Sequence, residues 1–141
     1  MTQAPLTFHV HARATADGEA SVEAGGTRVP LDVRWDTPPA GVPGPAHLLA
    51  GAFAACLLKN LARTRALTGF EYDAADVVVD LTRQEQPPRF VTLRYTMRVV
   101  TDEPERRLEL LHANLRKFGT VYNTVAAACD VQGTVEAVPR S

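Results

Sequence analysis

Residues 45–60 read PAHLLAGAFAACLLKN, and from Leu48 to Leu58 no side chain is charged or strongly polar. Gly44 fits a helix N-cap and Pro45 the first helical position, where a missing N–H is no loss. The helix is predicted to run to Leu67 or Thr68, with Gly69 as its left-handed cap. A helix that is apolar all round is buried on every side. The small residues Ala50, Gly51, Ala52, Ala54 and Ala55 let another backbone come close, and a single thiol, Cys56, sits among them. The second half carries Lys59, Arg63 and Arg65. The uncharged run falls short of the roughly 20 residues a membrane span needs, so no membrane role is expected.

The chain on either side supplies strands. Residues 6–14 alternate, with Leu6, Phe8, Val10 and Ala12 against Thr7, His9, His11 and Arg13. Asp17-Gly18 signals a turn, residues 19–24 a second strand ended by Gly25-Gly26, and residues 27–35 a third strand, with Val29, Leu31, Val33 and Trp35 on one face. The result is a three-stranded meander with one wet face. Residues 36–45, DTPPAGVPGP, form a loop into the helix. Two strands follow, over about 73–83 and 89–101. Asp102 or Glu103 is predicted to cap a helix beginning at Pro104, with Leu108, Leu111, Leu115 and Phe118 as its apolar stripe. Gly119 breaks it, a short helix covers about 121–129, and residues 131–138 form a last strand. The order is βββ-α-ββ-αα-β, an α+β chain with antiparallel sheets. Its 141 residues are the length of one domain, taken as 1–141. One meander cannot cover a helix that is apolar all round. An intertwined homodimer, with central helices from both chains between two sheets, solves that burial problem.

A net charge of −1 exerts no global pull toward nucleic acid. The start, MTQAPLTFHV, lacks a basic segment followed by an apolar stretch and cleavage site, so a cytoplasmic, reducing location is expected. His9 and His11 share a strand face, but no carboxylate or thiol completes a metal set nearby, and neither metal nor cofactor is expected. His47 lies nine residues before Cys56, about 900° of helix rotation, which puts it on the opposite side and excludes a Cys–His dyad within one chain. Arg94 and Arg98 read as a solvated face.

The order of elements, the stretch PAHLLAGAFAACLL and the block KFGTVYNTVAAACDVQGTVE resemble the OsmC/Ohr family of thiol peroxidases of osmotic and organic hydroperoxide stress, over roughly residues 6–138. The resemblance implies the OsmC-like fold and an obligate intertwined homodimer. It also implies a peroxidatic cysteine on the central helix and a resolving cysteine at the start of the later helix. An arginine from the N-terminal hairpin and a glutamate near the start of the central helix are implied to hold the thiolate. Cys56 falls on the peroxidatic position. The resolving position, between Lys117-Phe118 and Thr120-Val121, holds Gly119. The glutamate position after Pro45 holds Ala46, and Thr15 and Ala16 stand where the arginine should precede the Asp17-Gly18 turn.

Cys56 lies some ten residues, about 15 Å, into its helix, where the helix dipole gives little help to a thiolate. A nearby cation would have to activate it: Lys59 or Arg63 on the helix, or Arg13, Arg34 or His11 from the sheet. Cys129 lies about 14 Å of helix beyond the resolving position, too far for a disulfide with Cys56 in one chain. It is expected to be a packed thiol. Two functions stand. One is a one-cysteine, thiol-dependent hydroperoxide reductase using Cys56 and an external thiol reductant. The other is a non-catalytic homodimer whose vacated polar positions leave a cleft for a small apolar ligand.

Overall fold

A computed structural model describes residues 5–38 and 41–141. Residues 1–4, at the start of the chain, and 39–40, inside the predicted proline-rich loop, lie outside the described residues. The chain divides into two compact units, residues 1–48 and 49–141.

The N-terminal unit is a meander of β1 (His11–Ala14), β2 (Ala20–Ala24) and β3 (Thr27–Pro30), in the order β1-β2-β3 and antiparallel throughout. Gly25 and Gly26 both take positive φ, 57° and 82°, the conformation that a two-residue hairpin turn of matching twist requires. The strands are shorter than the alternation predicts. β2 has five residues, and its last, Ala24, runs straight into the glycine turn, so nothing beyond Ala24, opposite Val10, remains to extend β1 toward the N-terminus. At its other end β2 stops at Ala20, whose carbonyl accepts from Leu31 N–H (3.0 Å), and β3 has no ladder beyond that bond. Leu6, Phe8, Val10, Val33 and Trp35 are therefore exposed, Trp35 at 98%. The meander has intermediate positions but no buried residue among those described, so the expected dry face is uncovered.

Helix α1 (Pro45–Thr68) follows in sequence. Gly69, at φ 72°, ends it as predicted. Phe53, Leu57, Leu61 and Thr64 are its buried residues, spaced as one stripe. Burial on every side is thus corrected: Leu48, Leu49 and Leu58 are each more than one third exposed. By length and composition alone α1 could cross a membrane. Its stripe, however, belongs to a protein core, and Lys59, Asn60 and Arg63 break the apolar surface in its second half.

The C-terminal unit holds β4 (Ala74–Gln84), β5 (Arg89–Val100), α2 (Glu105–Phe118), α3 (Thr120–Ala126) and β6 (Asp130–Val138). Leu93, Tyr95, Met97 and Val99 of β5 are buried on one face, as their alternation predicts. Arg94 and Arg98 on the other face pair with Asp130 and Glu136 of β6, at 2.9 and 3.4 Å. One pairing departs from the antiparallel expectation. β6 runs parallel to β5, because α2 and α3 form a crossover that returns the chain to the same end of the sheet. Leu108, Leu111 and Leu115 of α2 are buried as expected, whereas Phe118 is 44% exposed. Neither Asp102 nor Glu103 caps α2. The N-cap is Pro104, and the Glu103 carboxylate instead accepts from Glu71 N–H (2.8 Å) and Arg107. The Glu71 N–H, then Arg107, hold its pKa below the ordinary carboxylate range.

Two polar groups in this core meet closely. The Tyr95 hydroxyl lies 2.6 Å from His112 Nε2 on α2, joining sheet to helix. Burial raises the Tyr95 phenol and lowers the His112 imidazole, with the Arg116 charge adding to the latter. A histidine held below its ordinary value of 6.5 takes up fewer protons folded than unfolded. Its contribution is full above 6.5 and is lost as pH falls below it. The melting temperature is expected to drop between pH 7 and pH 5. His112→Gln keeps an acceptor for Tyr95 but cannot titrate, and should flatten that slope. An unchanged slope by calorimetry would reject the assignment.

Candidate functional site

The site is built where α1 meets the junction of α2 and α3. Phe53 is fully buried, with its ring 5.6 Å from Tyr95 and 5.2 Å from Tyr122. This anchor fixes the rotation of α1. Cys56, three residues on, is half-buried at the edge of the stripe. Gly119 is buried between α2 and α3, serving as C-cap of one and N-cap of the other. A Cβ on Gly119 would lie 3.3 Å from Cys56 Sγ, 2.8 Å from Tyr122 Cβ and 2.7 Å from the Leu115 carbonyl oxygen. Its φ of −77° suits any residue, so the glycine is required by space, not by backbone conformation. The position where the resemblance puts a resolving thiol is thus in contact with the sulfur, and it has no side chain.

Asn60, which sequence reasoning missed, lies one turn after Cys56. Its Nδ2 donates to the Cys56 carbonyl at 3.0 Å and lies 3.6 Å from Cys56 Sγ. The signal was available as i, i+4 spacing on one helix, but a polar residue in a basic half-helix reads first as surface. Thr64 continues the polar line, donating to the Asn60 carbonyl at 2.9 Å.

The expected cations are accounted for separately. The Arg63 guanidinium stacks 4.5 Å above the Phe118 ring and the Lys117 ammonium lies 5.3 Å from it, which explains why Phe118 left the core stripe. Lys59 is exposed. Arg13 and Arg34 come together in the N-terminal unit, lining an open groove of about 650 Å³ with Asp32 and Glu19. His11 stands opposite Glu23, whose carboxyl is held low chiefly by its hydrogen bonds from Arg28. His9 and His11 line a second cleft of that unit. Among the described residues no group of three metal-ligating side chains forms. Ala46 lies exposed in the first turn of α1, which holds no acidic residue. His47 Nδ1 accepts from Gly44 N–H at 3.2 Å, so its ring closes the helix start. Both cysteines are free. Cys129 packs against the core at the α3–β6 junction and donates to the Phe90 carbonyl at 3.4 Å, the packed thiol that was expected.

The model of the family described as OsmC-like protein matches residues 38–133, and the chain belongs to that family. An OsmC-like protein from Mycoplasma pneumoniae superposes with a TM-score of 0.85 at 15% identity, over 96% of this chain and 99% of that one. An organic hydroperoxide resistance protein OsmC from Legionella pneumophila gives 0.74 at 18% identity, over 95% and 99%. The organic hydroperoxide resistance protein OhrB of Bacillus subtilis gives 0.69 at 18%, over 93% and 98%. At these identities the likeness establishes the OsmC-like fold. No curated protein matches the chain.

The contacts at Gly119 make a direct prediction. Gly119→Ala forces the α2–α3 junction or Tyr122 to move, and should destabilise the fold by about 1–3 kcal/mol. Urea unfolding of both proteins measures it; equal midpoints would show that the junction yields without strain.

Proposed function

We propose that the protein is a thiol-dependent reductase of small organic hydroperoxides, acting in the cytoplasm with Cys56 as its one working cysteine. The observation that carries this reading is the Gly119 contact. The peroxidatic thiol of the family resemblance is present, and the residue touching its sulfur cannot form a disulfide with it. The chemistry is then confined to one sulfur. The Cys56 thiolate attacks a peroxide oxygen, the O–O bond breaks, and an S–O bond forms. Sulfur loses two electrons, and the leaving alkoxide takes a proton from water to become an alcohol. An external monothiol condenses with the sulfenic acid, releasing water and leaving a mixed disulfide. A second monothiol attacks that disulfide, restores the Cys56 thiol and leaves as the oxidised dimer. Tyr122, whose Cβ borders the same Gly119 position as the sulfur, gives it an apolar neighbour suited to an organic substituent.

Cumene hydroperoxide consumption tests the reading. Turnover is expected only with added monothiol, and Cys56→Ser should abolish it while Cys129→Ser leaves it nearly unchanged. Fast turnover with no added monothiol would reject the single-cysteine mechanism. No consumption at all would reject the enzyme and favour the non-catalytic, ligand-binding homodimer.

The working unit in this proposal is an intertwined homodimer. The meander has no core of its own, and a small sheet without a covered apolar face is marginal in water. Phe8, Trp35 and the outer leucines of α1 are the apolar surface a second copy would cover. Light scattering at micromolar concentration should give twice the 15.3 kDa chain mass. A monomer would overturn the assembly.

A further inference from the structure

We propose that Asn60 is a catalytic residue of the Cys56 centre: its side-chain amide hydrogen-bonds the sulfur and supports the thiolate in place of the lost arginine. The inference rests on the reading of Cys56 as the peroxide-reacting thiol. Asn60 Nδ2 carries two N–H groups. One is spent on the Cys56 carbonyl at 3.0 Å, which holds the amide in one orientation. The other is left for Cys56 Sγ at 3.6 Å, a distance that suits a sulfur acceptor. Among the described residues, Asn60 is the one side chain hydrogen-bonded to that sulfur. The nearby charged groups are otherwise placed. Arg63 on α1 and Lys117 at the end of α2 lie over Phe118, and Lys59 is exposed. Tyr122 approaches from α3 through its Cβ and packs its ring on Phe53.

A neutral donor is well matched to this position. Hydrogen bonding to the charged form of an acid favours that form. Asparagine is a poorer helix former than the alanines around it, so its place in the helix interior is not one that helix propensity selects. The same N–H can follow the sulfur through the reaction, since a sulfenate also accepts a hydrogen bond. The step itself adds no electrons or protons to those already described; the amide donates throughout and is unchanged at the end.

Alkylation of Cys56 by iodoacetamide against pH, followed on its tryptic peptide in the full chain, tests the role. Half-maximal alkylation should occur at higher pH in Asn60→Ala and Asn60→Leu than in wild type. At pH 7 the rate should fall about three- to tenfold, the range of one ordinary hydrogen bond, since the long contact to sulfur is weaker than a short charge-assisted one. Asn60→Asp, which loses the donor and adds a negative charge, should move the profile further the same way. A purely structural role would lower the melting temperature and leave the profile in place. An unmoved profile, or one displaced to lower pH, in either folded variant would overturn the inference. Should the alanine variant be unfolded by circular dichroism, the leucine and aspartate variants carry the test. Dimedone trapping after cumene hydroperoxide separates the two claims. No sulfenic acid in wild type would remove the peroxidase reading, whereas equal trapping in wild type and Asn60→Ala would remove Asn60 alone.

Discussion

The packing of Phe53 against Tyr95 and Tyr122 is the contact on which the candidate site depends. It ties α1 to the sheet through β5 and to the crossover through α3. Truncating such a ring to alanine would be expected to destabilise the unit by about 3–5 kcal/mol. Its geometric effect matters as much as its energy. With Phe53 inward, the helix period places Leu57, Leu61 and Thr64 inward too, and leaves Cys56 and Asn60 at the rim, where a thiol can meet both protein and solvent.

Two glycines make the surrounding packing possible, each by what it lacks. Gly133 on β6 stands opposite Tyr95 on β5, and any Cβ there would enter the tyrosine ring. The ring therefore lies flat on the β6 backbone, with its hydroxyl at His112. Gly119 does the same for the sulfur. A side chain at that position would press on Cys56, Tyr122 and the Leu115 carbonyl together. The absence of a side chain at Gly119 lets the α2–α3 junction close tightly on the helix beside Cys56.

The meander shows the limit of reading burial from alternation. Leu6, Phe8 and Val10 alternate as a half-buried strand should, yet they lie beyond the end of their pairing partner and are exposed. The pattern records a face that is apolar; it does not say what covers it. The outer leucines of α1 pose the same question from the other unit, and a second copy of the chain is the answer we propose for both.

Local chemistry set the elements of this protein. The Gly44-Pro45 start, the Gly69 stop, the Gly25-Gly26 turn and the period-two run through β5 depend on neighbours a few residues away, and they stand where the residues alone place them. The resemblance in PAHLLAGAFAACLL and KFGTVYNTVAAACDVQGTVE was also sufficient for the family. Tertiary structure decided the rest, because it depends on which faces meet. The parallel seat of β6 follows from where the α2–α3 crossover returns. Phe118 turned from the core to the Arg63 guanidinium, and Glu103 from a helix cap to Glu71 N–H, because those partners lie far off in sequence. Gly119 acquires its meaning only against the Cys56 sulfur. Asn60 stands one turn from Cys56 by spacing alone, but the approach of its amide to the sulfur, at 3.6 Å, depends on the side-chain orientation that only the folded helix fixes.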